Sequence, residues 1–303
     1  KESMLANFFG KSKPVNFIVL FALFLSYFFI SSLSKELSFN LFKELLGFVV
    51  IFAVFNFIIA KNQLTFDNSF AFLFFVILIG FFTDVIAINK TFYACLTVLL
   101  FLRKVYSLQS SKNAFHKLFD GGLWLGISFL IEPYTALFGV LLYVSIYLHH
   151  HFTYQTLLIP VIGFGSVIFL FFTYCFWYDK IADFYLLFDW NFAYNTELYL
   201  NINYILPIIF MAIFVFFSII LKSPKALAVL NTFRKNWILV VVHFVISVFI
   251  VLLINDKTGS ELLFLFFPTA IILANGLELF QKKWISDAIL FLLLIGSVLI
   301  KLI

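Results

Sequence analysis

Charge is scarce in this chain. Of its 303 residues, 20 are Lys or Arg and 15 are Asp or Glu, so only 12% are charged, roughly half the share of an ordinary soluble domain. Cysteine is nearly absent too. Cys95 and Cys175 both fall in apolar runs. They match no metal or redox spacing and read as small buried hydrophobes. No glycine-rich phosphate loop occurs, which disfavours an ATPase. No row of Asp, Glu or Arg crosses the middle of an apolar run, which argues against a proton pump or a charged-ion channel. No polar stretch is long enough for a separate soluble domain, so the net charge of +5 is no sign of nucleic-acid binding. No cofactor motif is present, and no cofactor or metal is expected.

What fills the chain is apolar: 64% of residues are hydrophobic and 47 are phenylalanine. That much apolar surface suits a bilayer, and the expected class is an all-α, polytopic integral membrane protein. A crossing needs roughly 20 apolar residues. The apolar runs are 15–33, 45–60, 69–87, 91–102, 119–131, 134–148, 155–176, 203–221, 237–254, 262–277 and 284–300. They predict about eleven transmembrane or partly spanning helices in a single domain over 1–303. The runs 91–102, 119–131 and 134–148 are short and read as tilted, re-entrant or half-helices. The phenylalanines are read as lipid-facing. The first run has no small-residue cleavage site after it and reads as a retained span.

Basic residues set the expected orientation. With the N-terminus inside and the sides alternating, fourteen of the 20 basic residues fall on the cytoplasmic side, the pairs Arg103-Lys104 and Arg234-Lys235 among them. The longest outer segment, 177–203, mixes aromatic, acidic and amide residues. It predicts an interfacial loop with Trp177, Tyr178, Trp190 and Tyr194 at headgroup depth.

Candidate chemistry lies among the outward acids. Glu132-Pro133 separates two apolar stretches. Pro133 removes a backbone donor and marks a structural break, and Glu132 is either an ordinary turn residue or part of an outward polar site. Glu36 and Glu44 stand eight residues apart, so on a helix they share a face, either as a solvated interfacial helix or as catalytic or metal-binding carboxylates. Asp84 either reaches water or faces the same cavity. Asp179 and Asp183 are four apart and either belong to a solvated loop or bind a divalent cation with a lipid phosphate. The run His149-His150-His151 is too short a loop to point three imidazoles at one ion. His243, Asn56 and Asn275 read as interhelical hydrogen-bonding groups.

Residues 89–148, with Gly121, Gly122, Gly126, Glu132 and Pro133, resemble the middle of a GT-C-type glycosyltransferase. The resemblance implies a polyprenyl-phosphate-linked sugar as donor and chemistry at the outer face. It implies Glu36 as the acidic residue after the first span, with Glu44 as second choice and Asp84 for a second acidic position. This chain carries Glu where such enzymes usually carry Asp. From Met4, the stretch MLANFFGKSKPVNFIVLF, with Lys11 to Phe17 as its core, resembles an uncharacterised family of polytopic inner-membrane proteins from Bacteroidota. That resemblance implies the bacterial inner membrane, and neighbours such as gliding or type 9 secretion machinery. In physical terms the first segment is expected to lie on the inner surface with Phe8 and Phe9 inserted in lipid.

Three functions follow as expectations. The first is a multispan inner-membrane subunit or scaffold of an envelope complex, with membrane lipid and other envelope proteins as partners. The second is a GT-C-like lipid-linked glycosyltransferase using Glu36, Asp84 and Glu132 for chemistry, and Glu44, Trp177, Asp179, Asp183 and Trp190 for lipid or substrate. The third is a lipid or small-solute transporter, for which no paired repeats are evident.

Overall fold

The computed structural model describes residues 4–33, 39–150, 152–190, 196–228, 231–255 and 257–300, and every regular element among them is helical. In chain order the helices are α1 (Met4–Phe9), α2 (Pro14–Ser32), α3 (Phe39–Asn62), α4 (Phe70–Phe81), α5 (Lys90–Ser107), α6 (Ala114–Ile131), α7 (Phe138–Leu148), α8 (Tyr154–Trp177), α9 (Ile181–Leu186), α10 (Glu197–Leu200), α11 (Ile202–Ala228), α12 (Asn231–Leu253), α13 (Leu263–Leu277) and α14 (Lys283–Leu299). Short 3-10 turns, Thr83–Val85, Pro133–Leu137 and Ser260–Leu262, follow α4 and precede α7 and α13. Each of the eleven apolar runs coincides with one of these helical stretches. Six helices are long and apolar enough to cross a membrane: α2, α3, α8, α11, the part of α12 from Phe233, and Ser260–Leu277. Shorter apolar helices lie between them, and the whole is the architecture of a polytopic membrane protein.

The chain divides into two compact units. The first comprises Lys1–Ala87, Thr196–Phe244 and Lys257–Ile303, and the second Ile88–Asn195 and Val245–Asp256.

The first unit is built on α4 and α13, which pack together. All twelve residues of α4 are buried, and so is every residue of α13 except Leu265. A helix apolar all round must be enclosed by protein or lipid. Twelve residues rise only about 18 Å, short of the roughly 30 Å of a bilayer core, so α4 depends on protein around it. That protein is α2 and α14 on α4, and α11 on α13. The phenylalanines do much of this packing. Phe24 of α2 meets Phe52 of α3 edge-on at 4.8 Å, Phe55 lies 4.5 Å from Phe75, and Phe55 reaches Phe267 of α13 at 5.2 Å. Many phenylalanines are therefore interior, not lipid-facing as the composition suggested. Between apolar helices in lipid, association rests on close packing, and large flat rings supply it.

The amino-terminal segment also differs from expectation. Phe8 is exposed but Phe9 is buried, because α1 packs on α14 instead of lying free in lipid. The Ala6 N–H donates to Asp287 Oδ1 at 2.6 Å, satisfying an amide that a helix start leaves open. Asn16 is wholly buried and donates to Lys11 O at 2.7 Å, Phe8 O at 3.1 Å and Ser69 Oγ at 3.0 Å. It ties the approach of α2 to the start of α4.

The second unit centres on α6, which packs against α5 and α8. Gly122 and Gly126, four apart, let α8 approach closely. A Cβ on Gly122 would lie 2.1 Å from the Pro160 carbonyl oxygen, and one on Gly163 of α8 would lie 2.3 Å from the Phe119 oxygen. Small residues at this spacing are how membrane helices bring backbones together. Two interhelical hydrogen bonds add to the packing: Ser128 Oγ donates to Ala94 O at 3.3 Å, and Ser145 Oγ to Val105 O at 3.0 Å. Thr153 and Thr156 form a reciprocal capping box that starts α8.

Candidate functional site

At one end of the first unit, the turns after α4 and before α13 meet and carry a carboxylate each. Asp84 sits exposed on the first turn. Glu261 sits on the second and is fully buried. Gly259 makes the second turn possible. Its φ of +85° is in the left-handed region that favours glycine, and a Cβ there would lie 2.4 Å from Tyr204 Oη.

Two tyrosines close over these acids. Tyr199 on α10 donates its hydroxyl to Glu261 Oε1, and Tyr204 at the start of α11 donates to Asp84 Oδ2. Their rings meet edge-to-face at 5.9 Å. The Thr258 N–H donates to Glu261 Oε2 at 3.2 Å. Lys257 places its ammonium 5.7 Å from the Tyr199 ring centre. Burial holds the Tyr199 phenol well above its ordinary range, and the Glu261 charge raises it further; the phenol therefore acts as a hydrogen-bond donor. Burial lowers the Lys257 ammonium and the Glu261 charge partly restores it. The arrangement binds α10 and α11 to both turns. It also leaves Asp84 as an accessible carboxylate beside a buried one.

The opposite end of the same unit holds a buried ion pair. Lys222 near the end of α11 lies 3.4 Å from Glu278, just past α13, and both side chains are 4% exposed. Glu278 Oε1 also accepts from Asn68 Nδ2 at 2.6 Å and from the Phe66 N–H at 3.0 Å. The Lys222 ammonium sits 5.1 Å and 4.8 Å from the Phe66 and Phe233 ring centres, a cation–π arrangement. Burial pushes the Glu278 carboxyl above its usual range, while Lys222, Asn68 and the Phe66 amide pull it part of the way back.

In the second unit, α6 ends at Ile131, Glu132 is extended, and Pro133 opens a 3-10 turn. Glu132 is 6% exposed and pairs with Lys90, the first residue of α5, at 3.3 Å. Tyr134 accepts from Asn255 Nδ2 at 3.4 Å, and its ring lies 5.9 Å from Trp190.

The remaining candidates are scattered. Glu36 lies outside the described residues, as do Tyr194 and His151. Glu44 sits in the second turn of α3. Asp84 belongs to the first unit and Glu132 to the second. Asp179 occupies the turn after α8 with φ +53°, while Asp183 is inside α9, so the two do not share a helix. Trp177 is 79% exposed, and Trp190 donates its indole N–H to Leu187 O at 3.2 Å. Among the described residues, no group of three or more His, Cys, Asp or Glu converges as a metal site.

Sequence reasoning gave no role to Glu261, Tyr199, Tyr204, Lys222 or Glu278. A local signal existed for Glu261: Gly-Ser-Glu immediately before an apolar run is a turn followed by an acid at a helix start. Glu278 had none, because its partners lie far away in the chain.

A family model described as a family of unknown function, DUF6427, matches residues 4–303, and the chain belongs to that family. No curated protein and no solved structure matches it.

Proposed function

We propose that this member of the DUF6427 family is a multispan subunit or scaffold of a bacterial inner-membrane envelope complex. One observation carries the reading. Two carboxylates with buried side chains are taken up by donors of the chain itself: Glu278 by Lys222, Asn68 and the Phe66 amide, and Glu261 by Tyr199 and Thr258. Such groups hold helix ends together and leave little of the carboxylate for a substrate. In this reading about eleven helices span or partly span the membrane, the N-terminus lies in the cytoplasm, and segment 177–203 lies at the outer interface. Crosslinking in native membranes followed by purification should recover a recurrent envelope protein in fixed ratio. Recovery of the chain alone would sink the reading.

A second reading, a GT-C-like lipid-linked glycosyltransferase, draws support from the exposed Asp84 and from the Lys90–Glu132 pair beside the Pro133 break. Glu36, Asp84 and Glu132 would serve the chemistry. Glu44, Trp177, Asp179, Asp183 and Trp190 would hold a polyprenyl-phosphate-linked sugar at the outer face. Its test is sugar transfer by membranes containing wild type, Asp84→Asn or Glu132→Gln. Transfer that both substitutions abolish, while Glu197→Gln leaves it intact, would favour the enzyme over the scaffold.

A further inference from the structure

A furrow of about 300 Å³ runs along the first unit, with Phe74 of α4 and Leu273 and Leu277 of α13 in its floor and Ser218 of α11 and Ile289 of α14 on its sides. α11 packs on α13 and α14 on α4, so the furrow lies between two outer helices over the most buried pair. Phe217 and Leu221, which also line it, are 57% and 43% exposed, so the mouth opens where α11 faces the bilayer. The lining is almost wholly apolar.

The furrow has one basic end. Lys225 stands four residues after Leu221 and seven after Ser218, hence on the same face of α11. Lys282 precedes Ile289 by seven on the approach to α14. Lys225, Lys282 and Trp284 are exposed. The positions belong to one end of the unit: Lys225 stands three residues after Lys222 on α11, Lys222 pairs with Glu278, and Lys282 follows Glu278 by four residues in the turn between α13 and α14, two after Phe280, which lines the furrow. Glu278 offsets Lys222, and Lys225, Lys282 and Lys283 then stand against Asp67 and Asp287, so the remaining charge at this end is positive. An exposed Trp beside it suits headgroup depth.

We propose that this furrow is a binding site for one anionic phospholipid, its acyl chain seated between α11 and α14 and its phosphate held by Lys225 and Lys282. An apolar trough alone would take any acyl chain. The lysines at its end add a preference for negative charge.

The test uses the full-length protein in nanodiscs made from phosphatidylglycerol and phosphatidylcholine with matched acyl chains, followed by native mass spectrometry. Wild type should retain phosphatidylglycerol in preference to phosphatidylcholine. Lys225→Gln with Lys282→Gln should cut that preference by roughly ten- to thirty-fold, at the usual contribution of a basic residue near an anionic surface. Ile289→Trp, which fills the furrow, should lower retention of both lipids; Leu221→Trp fills it from the other wall if the first variant fails to fold. Equal retention of the two lipids by wild type, a preference that survives the double glutamine variant, or undiminished retention in the filled variant would each overturn the proposal.

Discussion

Lys222 and Glu278 illustrate what a buried ion pair does for a membrane fold. Removing one partner strands the other's charge, which typically costs about 3–5 kcal/mol. Lys222→Met should therefore lower thermal stability in detergent by that order, and adding Glu278→Gln should recover most of the loss. The pair also sets a pH dependence. The folded Glu278 carboxyl holds its proton more tightly than the unfolded one. Its contribution is then fully present below pH 4.5, the ordinary value, and is lost as the pH rises through the raised folded value. Unfolding temperatures measured from acid to neutral pH should show this decline in wild type and a flatter profile in Glu278→Gln. At the other end, Tyr199→Phe removes a donor from a buried carboxylate and should cost about 1.5–3 kcal/mol, read by the same melts; a change within error would remove the clamp assigned to Tyr199. None of these partnerships was legible in the sequence. Neither Lys222 nor Glu278 stood out, because a pairing 56 residues apart leaves no local trace. Asn16 was visible only as a letter in the Lys11–Phe17 stretch; its three hydrogen bonds give that stretch a physical reason.

Helices were the legible scale. Apolar runs located every major one, since a segment that must satisfy its backbone inside a bilayer has little choice but to coil. Their ends were less legible, because ends are set by partners. α5 continues to Ser107, past Arg103 and Lys104, where Lys104 meets Asp120 of α6 at 2.5 Å. α3 starts at Phe39, six residues before the run that announced it. The Gly122–Gly126 spacing was quoted only as part of a resemblance, while its structural role is the contact with α8. Gly122→Val or Gly163→Val should therefore separate α6 from α8, giving a poorly folded protein by size-exclusion chromatography. Gly165 is the control, since nothing lies within 4 Å of a Cβ there. Gly165→Ala should be neutral or stabilise by up to about 1 kcal/mol through helix propensity.

For the molecule as a whole, the proposed topology makes a direct prediction. Both native thiols, Cys95 and Cys175, are buried, so a single added cysteine reports its own side. Gln109→Cys, between α5 and α6, should react with a membrane-impermeant maleimide only after the cytoplasmic face is opened, and Asp179→Cys should react in intact cells. The reverse pattern would invert the orientation. Fold class was readable from composition because lipid dictates it. The candidate site was not, because it depends on which helix ends meet, and turns as short as Thr83–Val85 and Ser260–Leu262 encode no address. The meeting of α4 and α13 carries a consequence for biogenesis. A ribosome releases α4 long before it has made α13. Until then, a stub too short for the bilayer waits without its mate, shielded only by α2 and α3 or by the insertion machinery. Chains that terminate before Leu263 should accordingly be cleared by quality-control proteases, and the final third of translation decides whether the first third survives.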